Sequence, residues 1–160
     1  MQIEEGIAQM RQGLAAWRAT GAQVLRPYGL ALLAEASAQV GQIEKGLTLL
    51  AEAMTVANDT GERRWDAELH RLKGELLLAH TRESDLEAES CFGQALDIAR
   101  RQEAKSWELR AAMSLSRLWQ RQGKSVAARQ LLTPIYGWFT EGFDTADLQE
   151  AKALLDELGA

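Results

Sequence analysis

The sequence predicts an all-α fold, and three observations carry that expectation. Only Pro27 and Pro134 interrupt 160 residues dominated by Ala, Leu, Glu, Gln and Arg, a composition of strong helix formers poor in β-branched residues. Apolar residues recur at helical spacing. Ile3, Ile7, Met10, Leu14 and Trp17 advance by 4, 3, 4, 3, as do Trp65, Leu69, Leu72, Leu76 and Ala79, which puts each set on one buried stripe. The third observation is an internal repeat with a period near 40, which turns a set of helices into a stack of hairpins.

The repeat is read from four segments starting at Glu5, Lys45, Glu87 and Ala127. In each, a small residue (Gly6, Gly46, Ala88, Ala128) precedes a large apolar one (Met10, Leu50, Phe92, Leu132) by four positions. Three segments add a second small residue (Gly13, Ala53, Ala95), with Ile135 the exception. Between these segments, Trp65 and Trp107 correspond, with Leu25 in the equivalent place, and Ala34, Gly74 and Ser116 share one small position. A recurring small residue lets a neighbouring helix approach closely, so each unit is two antiparallel helices, one inner and one outer.

The elements then follow in order. A helix over 3–20 ends at Thr20-Gly21, where Gly takes the left-handed conformation that terminates helices. The next, 26–40, is entered through Pro27, favourable in a first turn, and broken at Gly41. Helix 43–59 ends at Thr60-Gly61. Helix 64–80 leads through a longer connection, Thr81 to Asp85, into 85–102, where Ser84 and Glu87 make a capping-box signature. Helix 105–122, with Ser106 as N-cap, breaks at Gly123. Ser125 caps 125–140, in which Pro134 introduces a kink. The last helix, 145–158, is capped by Asp144 or Thr145; Leu148, Ala151, Leu155 and Leu158 face inward and Gln149, Glu150, Lys152, Asp156 and Glu157 face outward. One domain, 1–160, therefore divides into a half repeat (1–21), three repeats (25–61, 64–103, 105–142) and a capping helix (144–158).

Composition excludes several functions. Eighteen Lys and Arg against 23 Asp and Glu give a net charge of −5, and without a basic cluster this argues against a nucleic-acid partner. No apolar run approaches the roughly 20 residues of a membrane span, and MQIEEGIAQM lacks the basic and apolar regions of a secretory leader; a cytoplasmic location is expected. One Cys forms no internal disulfide, and two His, at 70 and 80, make a zinc site improbable. Cys91 reads as a core thiol, His70 and His80 as surface or C-terminal residues of a helix, and Trp65, Trp107 and Trp119 as packing. No nucleophile and base stand at useful spacing. No enzyme activity, metal or cofactor is expected.

These features resemble the tetratricopeptide repeat. The outer-helix pattern of that family is literal in Ala88, Phe92 and Ala95 and approximate in Gly46, Leu50 and Ala53, and its turn glycine corresponds to Gly41 and Gly123. The period exceeds the family's usual 34, which requires longer helices. The resemblance implies a right-handed α-solenoid of about three and a half repeats closed by a polar-backed C-terminal helix. A narrower resemblance lies in GLAAWRATGA, ELHRLKGELLLA and LLTPIYGWFTEGFDTADLQEAKALLDEL, which look like the C-terminal repeat region of large bacterial signalling ATPases. There the region follows a nucleotide-binding module and often a cyclase or DNA-binding head. The chain has no GxxxxGK[ST] phosphate loop of its own.

The resemblance also implies where a partner would sit. Inner helices of the family line a groove, which here would present Tyr28, Glu35 and Gln39 from the first pair, Glu68, Arg71 and Glu75 from the second, and Arg110, Arg117 and Arg121 from the third. That groove would be acidic in its middle and basic toward its C-terminal end, with part of the charge internally paired because Glu68 and Arg71 are three apart. Ala31 and Glu35 stand where the family's carboxylate clamp begins, so chaperone-tail binding is not expected. Trp17, Trp138 and Phe143 are candidate docking residues; Trp138, with Tyr136, Phe139 and Phe143, is either covered by the last helix or forms a patch. The first helix lacks an inner partner, so the expectation is a chain that begins mid-repeat, ends naturally, and associates through its N-terminal face. The partner is a protein or peptide, or upstream domains of the same polypeptide.

Overall fold

The computed structural model describes residues 2–159. Among them lie eight α-helices and no strand: α1 Gln2–Ala19, α2 Arg26–Gln39, α3 Ile43–Thr60, α4 Asp66–His80, α5 Asp85–Arg101, α6 Lys105–Arg121, α7 Ser125–Tyr136 and α8 Ala146–Gly159. Short 3-10 turns, Arg63–Trp65 and Arg82–Ser84, lead into α4 and α5. The architecture is an all-α solenoid. α2, α4, α6 and α8 lie side by side as an inner layer, and α3, α5 and α7 each bridge two successive inner helices. α1 is an outer helix packed on α2. No described helix is long and apolar enough to cross a membrane.

The repeated residues are the ones that make contact between layers. A Cβ placed on Gly46 would stand 3.0 Å from the Ala34 carbonyl oxygen, and one on Gly74 would stand 2.5 Å from Phe92 Cε1. Glycine is therefore needed for the close approach of α3 to α2 and of α5 to α4. At the third unit Ser116 takes the small position, fully buried, and its hydroxyl donates to the Ala128 carbonyl at 3.2 Å. Leu50, Phe92 and Leu132 are buried to 1% exposure or less, each contributing about 1.5–3 kcal/mol from burial.

Two apolar clusters result. One, built around Leu30, Leu50, Val56, Leu69, Leu72 and Leu76, joins α2, α3 and α4. The other, around Phe92, Leu109, Met113, Leu118, Leu132 and Leu154, joins α5 to α8. Ala79 is exposed rather than on the α4 stripe, and Leu154 is a buried member of α8 that the inward set missed.

Helix ends show where local signals were overridden. Gly21 and Gly61 take positive φ as expected, as do the breaks at Gly41 and Gly123, but Glu103, the counterpart of Gly61 one repeat later, does so too, at φ 53, where an L residue is strained by roughly 1–2 kcal/mol. The capping box fails: Ser84 makes no side-chain cap bond, and its own N–H, which Glu87 would receive, donates to the Thr81 carbonyl at 3.3 Å. The connection is held by Thr81, whose hydroxyl oxygen accepts from the Glu83 N–H. Ser106 and Ser125 lie inside their helices, with Ala104 and Lys124 at the N-cap positions. Thr145 stands at the start of α8, but its hydroxyl donates back to the Gly142 carbonyl at 2.7 Å. α7 stops at Tyr136 rather than near 140, two residues after Pro134. Proline donates no backbone bond, and Trp138 and Phe139 close tighter three-residue turns onto Ile135 and Tyr136.

Gly74→Ala is expected to destabilise the protein by about 1–3 kcal/mol through overpacking against Phe92, although alanine is the better helix former. Gly93→Ala, where a Cβ meets nothing within 4 Å, is expected to stabilise by up to about 1 kcal/mol. Urea unfolding of both variants decides whether close packing or helix propensity governs each site.

Candidate interaction site

The inner layer carries the expected groove residues on three helices: Tyr28, Glu35 and Gln39 on α2, Glu68, Arg71 and Glu75 on α4, and Arg110, Arg117 and Arg121 on α6. Burial separates them. Glu68 and Arg71 are buried, Tyr28, Glu35, Glu75 and Arg110 are half-buried, and Gln39, Arg117 and Arg121 are exposed. The first two form a floor, and the rest project from it.

That floor is a charge network. Arg71 binds Glu68 through two parallel bonds of 2.8 Å, the bidentate geometry that fixes orientation as well as energy. Glu68 also receives Arg110 at 2.9 Å. Arg71 reaches Glu75 at 3.6 Å and donates to Ser114 Oγ at 3.4 Å, and Ser114 donates to Glu75 at 2.6 Å. Burial opposes the charge on Arg71, but the hydrogen bond and charge of Glu68, helped by Glu75 and Glu35, outweigh it and hold the guanidinium proton more tightly than usual. The ladder continues onto α8, with Arg110 to Asp147 at 3.8 Å and Arg117 to Glu150 at 3.0 Å. Charges read from the sequence as offered to a partner are thus engaged largely within the chain.

A second chain of contacts runs along the same ends of the inner helices. Tyr28 stacks on Trp65 at 4.3 Å, Trp65 meets Trp107 edge-on at 6.1 Å, and Arg110 lies over Trp107 at 5.6 Å. Glu62 ties this ladder down, accepting from Trp65 Nε1 at 2.9 Å and from the Leu25 N–H at 3.2 Å. Glu62 and Ser114 were not singled out from the sequence. Neither belongs to the apolar repeat, so no periodic signal marks them. Glu108 is similar: burial opposes its ionisation, but hydrogen bonds from Lys105 and Arg100 outweigh it and hold the carboxyl below its ordinary range.

Two cavities adjoin the layer. One of about 350 Å³ lies between α2 and α4, bounded by Glu35, Gln39, Arg71 and Glu75 among others. The other, of about 340 Å³, lies between α1 and α2 and is lined by Met10, Gly13, Leu14, Trp17, Leu25, Tyr28, Gly29 and Leu32. The candidate docking residues divide between the ends of the chain. Trp17, 44% exposed, belongs to the α1–α2 cavity, whereas Trp138 and Phe143, 59% and 46% exposed, lie between α7 and α8. Tyr136 and Phe139 of that segment pack against the core instead.

Two titratable groups outside the ladder, Cys91 and His70, are buried and half-buried. Burial pushes the Cys91 thiol up, so it stays protonated. Burial lowers His70, leaving a neutral imidazole. Among the described residues no three acidic, His or Cys side chains gather as a metal site.

Glu68→Ala, which leaves the buried Arg71 only its longer contacts to Glu75 and Ser114, is expected to cost up to about 3–5 kcal/mol, read as a drop in the urea midpoint. For Glu108 the folded carboxyl titrates below its unfolded value of about 4.5, so its contribution is complete above that pH and is lost as pH falls through the folded value. Glu108→Gln is therefore expected to destabilise at pH 7 by about 1.5–3 kcal/mol and to approach the wild type as pH falls below 4.5 through the folded value. Parallel pH–stability curves would contradict this.

No family model and no curated relative matches the sequence. Solved structures do. The nearly identical TPR-like repeats described for a kinesin light chain of Podosopora anserina align over 98% of this chain and 77% of that one, with 18% identity and a TM-score of 0.68. A single-substitution form of that protein aligns over 99% and 85%, at 18% identity and a TM-score of 0.66. BtubC (BKLC) from P. vanneervenii aligns over 99% and 72%, at 16% identity and a TM-score of 0.72. At these identities the likeness establishes the fold, a tetratricopeptide-like helical repeat.

Proposed function

We propose that this chain is a non-catalytic protein-interaction scaffold whose inner-helix face receives a peptide or helix of another protein. The observation that carries this reading is the cross-linked inner layer. Glu68, Arg71, Ser114 and Arg110 lock α4 to α6 beneath a row of half-exposed side chains, and function in repeat folds resides in such surfaces. A floor that cannot rearrange presents Tyr28, Glu35, Gln39, Arg117 and Arg121 at fixed separation, which lowers the ordering cost of binding. Because the floor's charges are consumed internally, recognition rests on these projecting groups and on the adjoining α2–α4 cavity. Ala31 is fully buried, which leaves no cationic clamp for a terminal carboxylate. The net charge of −5 favours a protein over nucleic acid or an anionic membrane, in the cytoplasm.

A second reading is that the repeats pack on an upstream nucleotide-binding or cyclase module of one longer polypeptide, as in the bacterial signalling ATPases that the sequence resembles. The incompletely covered α1 favours it.

A photo-crosslinking residue introduced at Gln39 or Arg121 is expected to yield a defined adduct in host extract, and the same residue at Gln94, exposed on outer helix α5, none. Arg117→Glu should reduce the adduct severalfold, since its exposed pair with Glu150 contributes at most about 1 kcal/mol to folding. Equal adducts from both layers would defeat the inner-face assignment.

A further inference from the structure

We propose that the cavity between α2 and α4 is a subsite for one basic side chain, a lysine or arginine, of the segment received by the inner face, with its cation taken between Glu35 and Glu75. The inference rests on the inner-face reading and adds to it the chemistry that the partner must bring to one place.

Comparison of equivalent positions isolates the group that matters. Glu35, Glu75 and Arg117 each follow the small residue of their inner helix, Ala34, Gly74 and Ser116. Glu75 accepts from Ser114 at 2.6 Å and faces Arg71 at 3.6 Å, and Arg117 pairs with Glu150 at 3.0 Å. Glu35 is half-buried, yet alone of the three it has no hydrogen bond or ion pair from another side chain among the described residues. The reason lies in the sequence. One repeat earlier, the counterparts of Arg71 and Ser114 are Ala31 and Leu72, whose side chains donate nothing. The α4–α6 crossing is therefore filled by a polar network, and the α2–α4 crossing is left open beside a carboxylate without a partner.

The space so left, about 350 Å³, is apolar over much of its lining. Leu72 and Leu76, both buried, and the half-buried Ile43 contribute to it, with Gln39 and Ala79 exposed at its solvent side. The charged groups of the lining are Glu35, Glu75 and Arg71, one cation against two carboxylates (1 − 2 = −1). Arg71 does not balance Glu35, because its two short bonds, of 2.8 Å, go to Glu68. Including Glu68 and its second partner Arg110 gives two cations against three carboxylates (2 − 3 = −1).

Charge and surface together select the occupant. An apolar side chain seated here would strip water from Glu35 and leave its charge unpaired, which is costly, and an acidic one would add repulsion. A basic side chain answers both parts of the cavity. Its methylene stem covers Leu72, Leu76 and Ile43 while its head keeps to the polar groups, and its cation gives Glu35 the charge-assisted bond that Arg71 and Ser114 give Glu75. Glu75, already fixed by Ser114, offers a second acceptor that does not have to be ordered on binding.

Methyl NMR of the full chain tests the proposal, with lysine and arginine capped as N-acetyl N-methylamides and added to about 10 mM, enough to read a dissociation constant of about 1 mM. At least one of the two is expected to shift the methyl signals of Ile43, Leu72 and Leu76 together. Capped norleucine, a stem without the cation, is expected to bind severalfold more weakly. Glu35→Gln removes no side-chain bond of the folded protein and should weaken the basic probe severalfold. Ala79→Leu, which narrows the exposed edge of the cavity and leaves the charge unchanged, should weaken it as well. Glu157→Gln, exposed on α8, reads general attraction to an acidic protein and should change nothing. No shift with either basic probe, equal binding of norleucine, or binding indifferent to Glu35→Gln overturns the subsite. If an inner-face adduct at Arg121 accompanies such a result, only the subsite falls; if neither Gln39 nor Arg121 yields an adduct, the reading beneath it falls too.

Discussion

Outer and inner helices can stack as they do here only if one side chain at each crossing is small enough to let the other helix in. At α4 and α5 the pair is Gly74 and Phe92, at α2 and α3 it is Ala34 with Gly46 and Leu50, and at α6 and α7 it is Ser116 with Ala128 and Leu132. Dispersion and burial fall off steeply with separation, so the crossing residue sets how much of the rest of each helix can touch. The two apolar clusters are consequences of that approach, as is the regular succession of inner helices.

Once the inner helices are adjacent, their polar faces are forced together and must be satisfied. The bidentate Arg71–Glu68 pair, the Arg110 contact and the Ser114 bridge accomplish this. A buried charge left alone would cost several kcal/mol, whereas the paired set is closer to neutral in stability. What the network adds is register. It allows one relative placement of α4 and α6, so the side chains above it keep their spacing. A solenoid whose repeats contact only their neighbours gains rigidity in this way at its middle crossing, and the Tyr28–Trp65–Trp107 ladder extends the coupling to α2.

The repeats are not equal, and their differences fall at the junctions. Glu103 occupies the left-handed position that glycine fills at residue 61, and the Thr81 hydroxyl replaces a glycine turn between α4 and α5. α7 contains Pro134 and ends at Tyr136, and the aromatic segment that follows leaves Trp138 and Phe143 exposed. α1 retains the outer-helix signature without a second inner helix to receive.

The sequence by itself determined the number of helices, their boundaries to within a few residues, and which small and large residues meet, because the period of 3.6 and the recurrence near 40 are both consequences of burial that leave marks in every repeat. The caps at Ser84, Ser106 and Ser125 were misread from the same letters, whereas Thr145 does stand before α8 with its carbonyl accepting from the Gln149 N–H; which partner a hydroxyl finds is settled only when its neighbours are in place. Met10 and Trp17 were visible as part of the α1 stripe, and Gly6 and Gly13 as the small positions of its repeat. Whether Arg110 and Arg117 face solvent or a carboxylate, whether Trp138 is covered, and that Leu25 and Glu62 lock one edge were decided by the tertiary structure. Those outcomes depend on which side chains distant along the chain arrive within hydrogen-bonding reach of one another, a distance that periodicity along the chain does not encode.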